Sequence, residues 1–298
     1  MKAKLKQDGI ASEIIIIFFM VMILVVTLYP FLNVLALSFN QSQDSARGIN
    51  MIVPRVWTLD NYARLLTNDN LPRAALNSFL RTVIGTVVGV LAAGTLAYTL
   101  SRKDYVFRRF LGGAFVITMY VSGGIVPWFL LIVNTLRLGN TFWVYIIPNI
   151  IGVWNVIVIR SFMDNLPREL SESAMIDGAG DFRIFSQIIF PLCTPVIATV
   201  SLWVAVFQWN SWFDTFIFNT TRIDLSTLQF ELFKIIDNTN PAQAVGSSLR
   251  TDIVNAAVVT PMSVRMATTI VVTIPIILVY PFIQKYFVSG MTLGAVKS

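Results

Sequence analysis

An all-α polytopic membrane protein with six transmembrane helices is the fold class this sequence predicts, and three observations carry that reading. Only 13% of its 298 residues are charged, against roughly 25% in soluble domains. Mean hydropathy is +0.71. Six apolar segments each approach or exceed the ~20 residues that take a helix across about 30 Å of hydrocarbon. Their runs are continuous rather than alternating, which excludes a barrel.

The first span is expected at 14–39, behind the amino-terminal stretch MKAKLKQDGIASE. Its uncharged run is too long for the ~7–15-residue core of a signal peptide and has no small-residue cleavage pattern, so it stays as a span. Five more are expected near 76–100, 109–133, 141–160, 190–212 and 265–284, all in a single transmembrane domain covering 1–298. Orientation follows from basic residues at span ends. Lys2, Lys4 and Lys6 in the tail, and Arg102, Lys103, Arg108 and Arg109 in the hairpin SRKDYVFRR, put both on the cytoplasmic side. Both termini are then cytoplasmic, 161–189 faces inward and 213–264 faces outward. Arg81 lies near the start of the second span, where its long stem is expected to reach the interface. Gly123, Gly124 and Pro127 can break the third span.

Composition also excludes function classes. The chain has no histidine and a single cysteine, Cys193, so an internal disulfide is ruled out and the commonest metal ligand is missing. No metal and no cofactor is expected on this chain. The net charge of +6 sits beside apolar spans and reads as membrane topology, not as a nucleic-acid surface. No glycine-lysine step occurs, so the phosphate-cradling P-loop is absent and the chain is not itself an ATPase. A mid-membrane carboxylate relay, as an ion-driven carrier uses, is also missing. Helix breaks can coordinate ions through backbone carbonyls, so an ion-gradient-driven secondary carrier remains an alternative.

One polar interruption stands out: ELSESAMIDGAGDFRIFSQIIFPL, Glu169 to Leu192. Pro167 suits a first helical position, and Glu169 and Glu172 suit the positive end of the helix dipole. The helix should run to about Asp177. Gly178, Ala179 and Gly180 then allow a sharp turn, and Asp181 can cap a second helix with Phe182, Phe185, Ile188 and Ile189 on its apolar face. Pro191 marks the turn into the next span. Such a compact knob, within the loop 164–191, is shaped to dock against a partner.

Glu172-Ser173-Ala174, three residues, Gly178, nine residues, then Ile188-Ile189-Phe190-Pro191 resembles the "EAA" loop of the membrane subunits of binding-protein-dependent ABC importers. Ser173 stands for the usual alanine and Phe190 for the usual leucine. The resemblance extends through YPFLNVLALSF, WTLDNYARLL, WNSW and the tail GMTLGAVKS to the second permease of maltose-type carbohydrate importers. MYVSGGIVPWFLL and VYPFIQKYFVSGM are similar to the branch for complex oligosaccharides. It implies a type I ABC importer permease in a bacterial inner membrane, importing oligosaccharide by alternating access. The implied partners are a second related permease, two cytoplasmic ATPase subunits that carry the ATP and Mg, and an extracytoplasmic solute-binding protein. It further implies that Glu172, Ser173, Ala174, Asp177, Gly178, Ala179, Ile188 and Pro191 form the ATPase-coupling region. A permease for a non-sugar solute would keep this loop and differ in its pathway.

The fifth span is rich in aromatic rings, and Trp203, Phe207, Gln208, Trp209 and Asn210 are candidates for a solute pathway, the rings stacking and the amides hydrogen bonding. For Trp212 and Phe213 the competing reading is an interfacial belt. The long outer segment 213–264 reads either as a contact for the solute-binding protein or as a connector. In the tail, the resemblance places Gly290, Gly294 and Lys297 between ATPase subunits; Lys297 also serves topology.

Overall fold

The computed structural model describes residues 2–45, 47–48, 52–67, 70–238 and 261–295. These residues are helical apart from turns, with one isolated antiparallel bridge between Asn40 and Trp57. In chain order the helices are α1 (Lys2–Ser38), α2 (Ser42–Ser45), α3 (Asp60–Leu66), α4 (Asn70–Ser101), α5 (Arg108–Tyr120) and α6 (Ile125–Leu130). A π turn (Leu131–Thr135) and two 3-10 turns (Phe142–Tyr145, Ile147–Asn149) lead to α7 (Val153–Met163) and α8 (Glu169–Ile176). Then come α9 (Asp181–Ile184), a second π turn (Phe185–Ile189), α10 (Phe190–Leu192), α11 (Thr194–Asn210), α12 (Phe213–Phe218), α13 (Leu228–Asn238) and α14 (Pro261–Ala295).

Three stretches, Ser12–Ser38, Asn70–Ser101 and Met262–Val279, are long and apolar enough to cross a membrane alone. Three bent pairs qualify together, making six crossings if each pair is one. The bends have causes in the sequence. The third apolar segment turns by 116° between α5 and α6, where Gly124 takes φ +83°, a conformation glycine adopts without a Cβ penalty. An 82° bend separates Asp181–Leu192 from Thr194–Asn210. Pro191 and Pro195 flank it, each lacking the N–H that would continue the ladder.

The chain forms two compact units. The first draws on residues 1–68 and 234–274. Here α1 is exposed all round from Ser12 to Phe31, as suits a helix that meets lipid or other membrane helices rather than its own core. Its end is tied down by Ala36 and Leu37 against Met266, and then by a polar knot. Asn61, fully buried, donates to the carbonyls of Ser38 (2.8 Å) and Asn40 (3.0 Å). Asn40 accepts from the Val56 N–H (2.8 Å) and donates to Asp44 Oδ2 (2.9 Å). That donation, with Arg55 at 2.8 Å, holds the Asp44 carboxyl below its usual range.

The second unit draws on residues 69–233 and 275–298, and α4 is its strut. One side of α4 presents Gly85, Gly89, Ala93, Gly94 and Ala97 to α7 and α11 and their flanking turns. Small residues let membrane helices approach closely, and dispersion then holds them. A Cβ on Gly85 would stand 2.6 Å from the Gln208 amide, and one on Gly94 2.9 Å from the Phe190 ring. Around this strut Val90, Val156, Ile159, Ile184, Ile189 and Val200 form the main core.

Candidate functional site

The polar interruption folds as an elbow. α8 begins at Glu169 rather than Pro167: Arg168 holds the cap position, and its carbonyl accepts the Ser171 and Glu172 N–H groups at 2.9 and 3.0 Å. The carboxyl end closes in a Schellman motif. The Ala179 N–H reaches the Ala174 carbonyl (2.9 Å) and the Gly178 N–H the Met175 carbonyl (3.0 Å), with Gly178 at φ +77°. A Cβ at Gly178 would meet nothing within 4 Å, so glycine is needed there for backbone conformation and not for space.

The turn divides the residues expected to couple into two sets. Ala174 is buried, Ala179 and Ile188 are partly so, and all three join the main core. Glu172, Ser173, Asp177, Gly178 and Pro191 are exposed. Two expectations are corrected. Asp181 makes no cap hydrogen bond; Gly180 holds the cap position in extended backbone, and the Asp181 carboxylate sits 3.4 Å from both Arg102 and the Tyr98 hydroxyl. Phe182 is 80% exposed, and the inward face is Ile184, Phe185 and Ile189, because the π turn at Phe185–Ile189 shifts the helical register that periodicity assumed. Ile176, at 87% exposure, was not singled out from the sequence. The signal was present, since Ile176 lies two residues from buried Ala174 and so off its face.

At the other end of α11 the candidate pathway residues separate. Trp203, Phe207 and Asn210 recur at helical spacing on one exposed face and line a groove of about 500 Å³. Gln208 is turned inward and 1% exposed; its oxygen accepts from Arg81 Nε (3.2 Å) and Nη2 (3.1 Å). Trp209 is half-buried beside it.

Arg81 does not reach the interface. It is fully buried, with its Nη2 2.5 Å from Asp214 Oδ2, Nη1 3.1 Å from Asp214 Oδ1 and 3.2 Å from the Ser211 carbonyl, and its guanidinium 4.4 Å over the Tyr145 ring. The cause is the break after Asn210: the chain turns into α12 and brings Asp214 back against α4, so the cation finds a carboxylate inside the bundle. Trp212 is likewise packed, stacked on Phe233 with ring centroids 4.1 Å apart, while Phe213 stays exposed.

Gly290 and Gly294 fall within α14, and Lys297 lies outside the described residues. Of the outer segment, α12 and α13 are described and 239–260 are not. Among the described residues no group of three or more His, Cys, Asp or Glu is arranged to hold a metal.

Comparison with known proteins agrees with this geometry. Residues 85–293 match the family model described as the binding-protein-dependent transport system inner membrane component. The chain is 35% identical over 288 residues to the polygalacturonan/rhamnogalacturonan transport system permease protein YtcP of Bacillus subtilis, covering 96% of this chain and 98% of that one. It is 27% identical to the arabinooligosaccharides transport system permease protein AraQ of Halalkalibacterium halodurans, covering 99% of each. Among solved structures, a chain of a bacterial ABC transporter involved in the import of the acidic polysaccharide alginate superposes with a TM-score of 0.82 at 25% identity, covering 93% of this chain and 96% of that one. With a matched region of this extent and an elbow folded as described, the chain belongs to the family of binding-protein-dependent transport system inner membrane components and is a multi-pass ABC importer permease.

Proposed function

We propose that this permease carries oligosaccharides across a bacterial inner membrane, powered by two cytoplasmic ATPase subunits that dock on the α8 elbow. A second related permease completes the pathway, and an extracytoplasmic solute-binding protein delivers the sugar. ATP and Mg act on the partner ATPases. Both termini and the elbow lie in the cytoplasm, and the tail with Gly290, Gly294 and Lys297 reaches toward the same ATPases. The relatives' names supply the sugar class, and the groove of Trp203, Phe207 and Asn210 offers ring faces and an amide suited to a carbohydrate's C–H faces and hydroxyls.

The observation that carries the reading is the construction of the elbow. A coupling element must be stiff, exposed on one side and welded to membrane helices on the other. α8 has its turn fixed by two backbone hydrogen bonds, leaves Ile176 and Phe182 exposed, and is anchored by Ala174 in the main core. Closure of an ATPase dimer against such an element moves the helices as rigid bodies, which is one of the recognised routes of switching.

The test is reconstitution of the full complex in liposomes with the Glu172→Ala/Gly178→Ala double variant. Uptake of labelled oligosaccharide should fall while ATP hydrolysis continues and the permease remains inserted. Normal coupled uptake in that variant would refute the coupling role. Uptake by the wild-type permease without ATPase subunits would refute the transport mechanism.

A further inference from the structure

Where the α4–α5 hairpin meets the end of α7, the second unit holds a cleft of about 800 Å³ that the transport mechanism does not use. Lys103, Arg108, Arg109 and Arg160 line it, against a single lining carboxylate, Asp104. Asp104 is itself engaged by Arg102 at 3.4 Å. Outside the lining, Asp164 accompanies Arg108 at 3.8 Å and Arg160 at 3.5 Å. Four cations thus face two carboxylates, and Lys103 and Arg109 have no ion-pair partner among the described residues.

Three further features give this charge a shape. α5 starts at the cleft with no side-chain cap; its first N–H, of Arg108, is taken by the Tyr105 carbonyl at 3.1 Å, and the positive end of its dipole adds to the field. The floor is bare: a Cβ at Gly113 would meet nothing within 4 Å, and one at Gly112 would meet Arg160 Nη1 at 3.3 Å. The neighbouring residues are apolar and open, with Val106 88%, Phe107 60% and Phe110 71% exposed. A soluble anion would satisfy the cations and leave these side chains in water. A lipid would satisfy both.

We propose that this cleft binds the phosphate headgroup of an anionic phospholipid, with Lys103, Arg108, Arg109 and Arg160 around the phosphate and Val106, Phe107 and Phe110 sunk among its acyl chains. The cations lie at the ends of membrane-crossing helices, where basic clusters meet anionic headgroups. The proposal needs only that the chain spans a membrane. It does not depend on what the importer carries or on which subunits drive it.

The test is native mass spectrometry of the purified assembly after partial delipidation, titrated with phosphatidylglycerol, with phosphatidylcholine and with inorganic phosphate. The wild type should retain phosphatidylglycerol over phosphatidylcholine, and inorganic phosphate at matched concentration should not displace it. Lys103→Gln/Arg109→Gln should weaken retention about 30-fold, taking roughly fivefold for each basic residue at a membrane surface. Gly113→Leu, which leaves the charge unchanged and fills the floor, should weaken it as well. Both variants should melt as the wild type does in lipid-free detergent, which separates lost binding from lost folding. Equal retention of the two lipids, or displacement by inorganic phosphate alone, would overturn the assignment. Loss of the ATPase subunits from the Lys103→Gln/Arg109→Gln assembly, with lipid retention unchanged, would mark the cleft as a protein contact and overturn it too.

Discussion

Replacing Arg81 with methionine tests the interior of the second unit most directly, because the two positions assigned to this side chain predict different energies. If its charge lay at the interface, its ion pair would contribute roughly 0–1 kcal/mol. The structure instead buries it completely, with Asp214 8% exposed. Removing one partner of a buried pair costs about 3–5 kcal/mol, because the other charge is stranded. In Arg81→Met, Asp214 loses contacts at 2.5 and 3.1 Å, and the Gln208 oxygen and Ser211 carbonyl lose their guanidinium donors. A cation–π contact with Tyr145 goes as well, a term that reaches about 2 kcal/mol when desolvated. Thermal unfolding of the detergent-solubilised chain, followed by tryptophan fluorescence, should show a large drop in melting temperature. Adding Asp214→Leu removes the stranded charge and leaves under-satisfied polar groups at Gln208, Ser211 and the Thr215 N–H, which Asp214 Oδ1 otherwise accepts at 2.9 Å, about 1–3 kcal/mol. The double variant should therefore be more stable than the single by roughly 2 kcal/mol, a coupling that distant sites do not show. An Arg81→Met protein that melts like the wild type, or a double variant no better than the single, would refute the buried-pair reasoning.

At the elbow, Gly178→Ala should cost about 1–2 kcal/mol because alanine is strained in the left-handed region, whereas Gly178→Asn, which tolerates that region, should retain most coupling; the ratio of uptake to ATP hydrolysis in liposomes separates the two. Gly94→Ala places a methyl 2.9 Å from the Phe190 ring and should destabilise by about 1–3 kcal/mol through overpacking, read by denaturant midpoint. Asn61→Ala withdraws the donor from two carbonyls and should cost about 1–3 kcal/mol, read as loss of amide-exchange protection at 40–42 and 56–62. In the segment after α12, Arg222 holds the Asp224 carboxyl at about 2 through its hydrogen bonds. A depressed carboxylate adds stability above its unfolded pKa of ~3.9, and that stability is lost as pH falls toward about 2. Arg222→Ala should move the Asp224 titration, followed by carboxyl NMR, back toward the unfolded value.

What the sequence revealed and what it hid divide along the range of the interactions involved. The apolar segments were legible because bilayer thickness is written into run length, and the elbow because a left-handed glycine and helix-end chemistry act within a few residues. The third segment's break was legible for the same reason, through Gly123 and Gly124. The Arg81–Asp214 pair was not, since its members stand 133 positions apart and meet only because α11 ends where it does. Gln208 was misread as facing solute because α11 is apolar all round, so periodicity could not say which side turns inward. The exposure of Phe182 was hidden by the π turn, which shifts register without a compositional signature.

These hidden contacts bear on the coupling role proposed for α8. Gly94 of α4 lies against Phe190, just before the bend, and Gly85 lies against Gln208 near the carboxyl end of α11. The two contacts are nine residues apart on α4, about 13 Å along a helix. The bend between them is no free hinge: the Cys193 N–H donates to the carbonyls of Ile189 (3.1 Å) and Phe190 (3.2 Å), and Cys193 is fully buried. α4 is thus held to both arms of the bent pair, to α10 by packing at Phe190 and to α11 by the Arg81 cluster. In the coupling role proposed for α8, straightening the bend would break into the main core, so a push at the elbow moves the pair as a whole. The turn at Val121–Gly124 between α5 and α6 is by contrast exposed at all four residues, with open space around Gly124. Under the coupling role proposed for α8, the buried Arg81 cluster serves that role by holding α11 to α4.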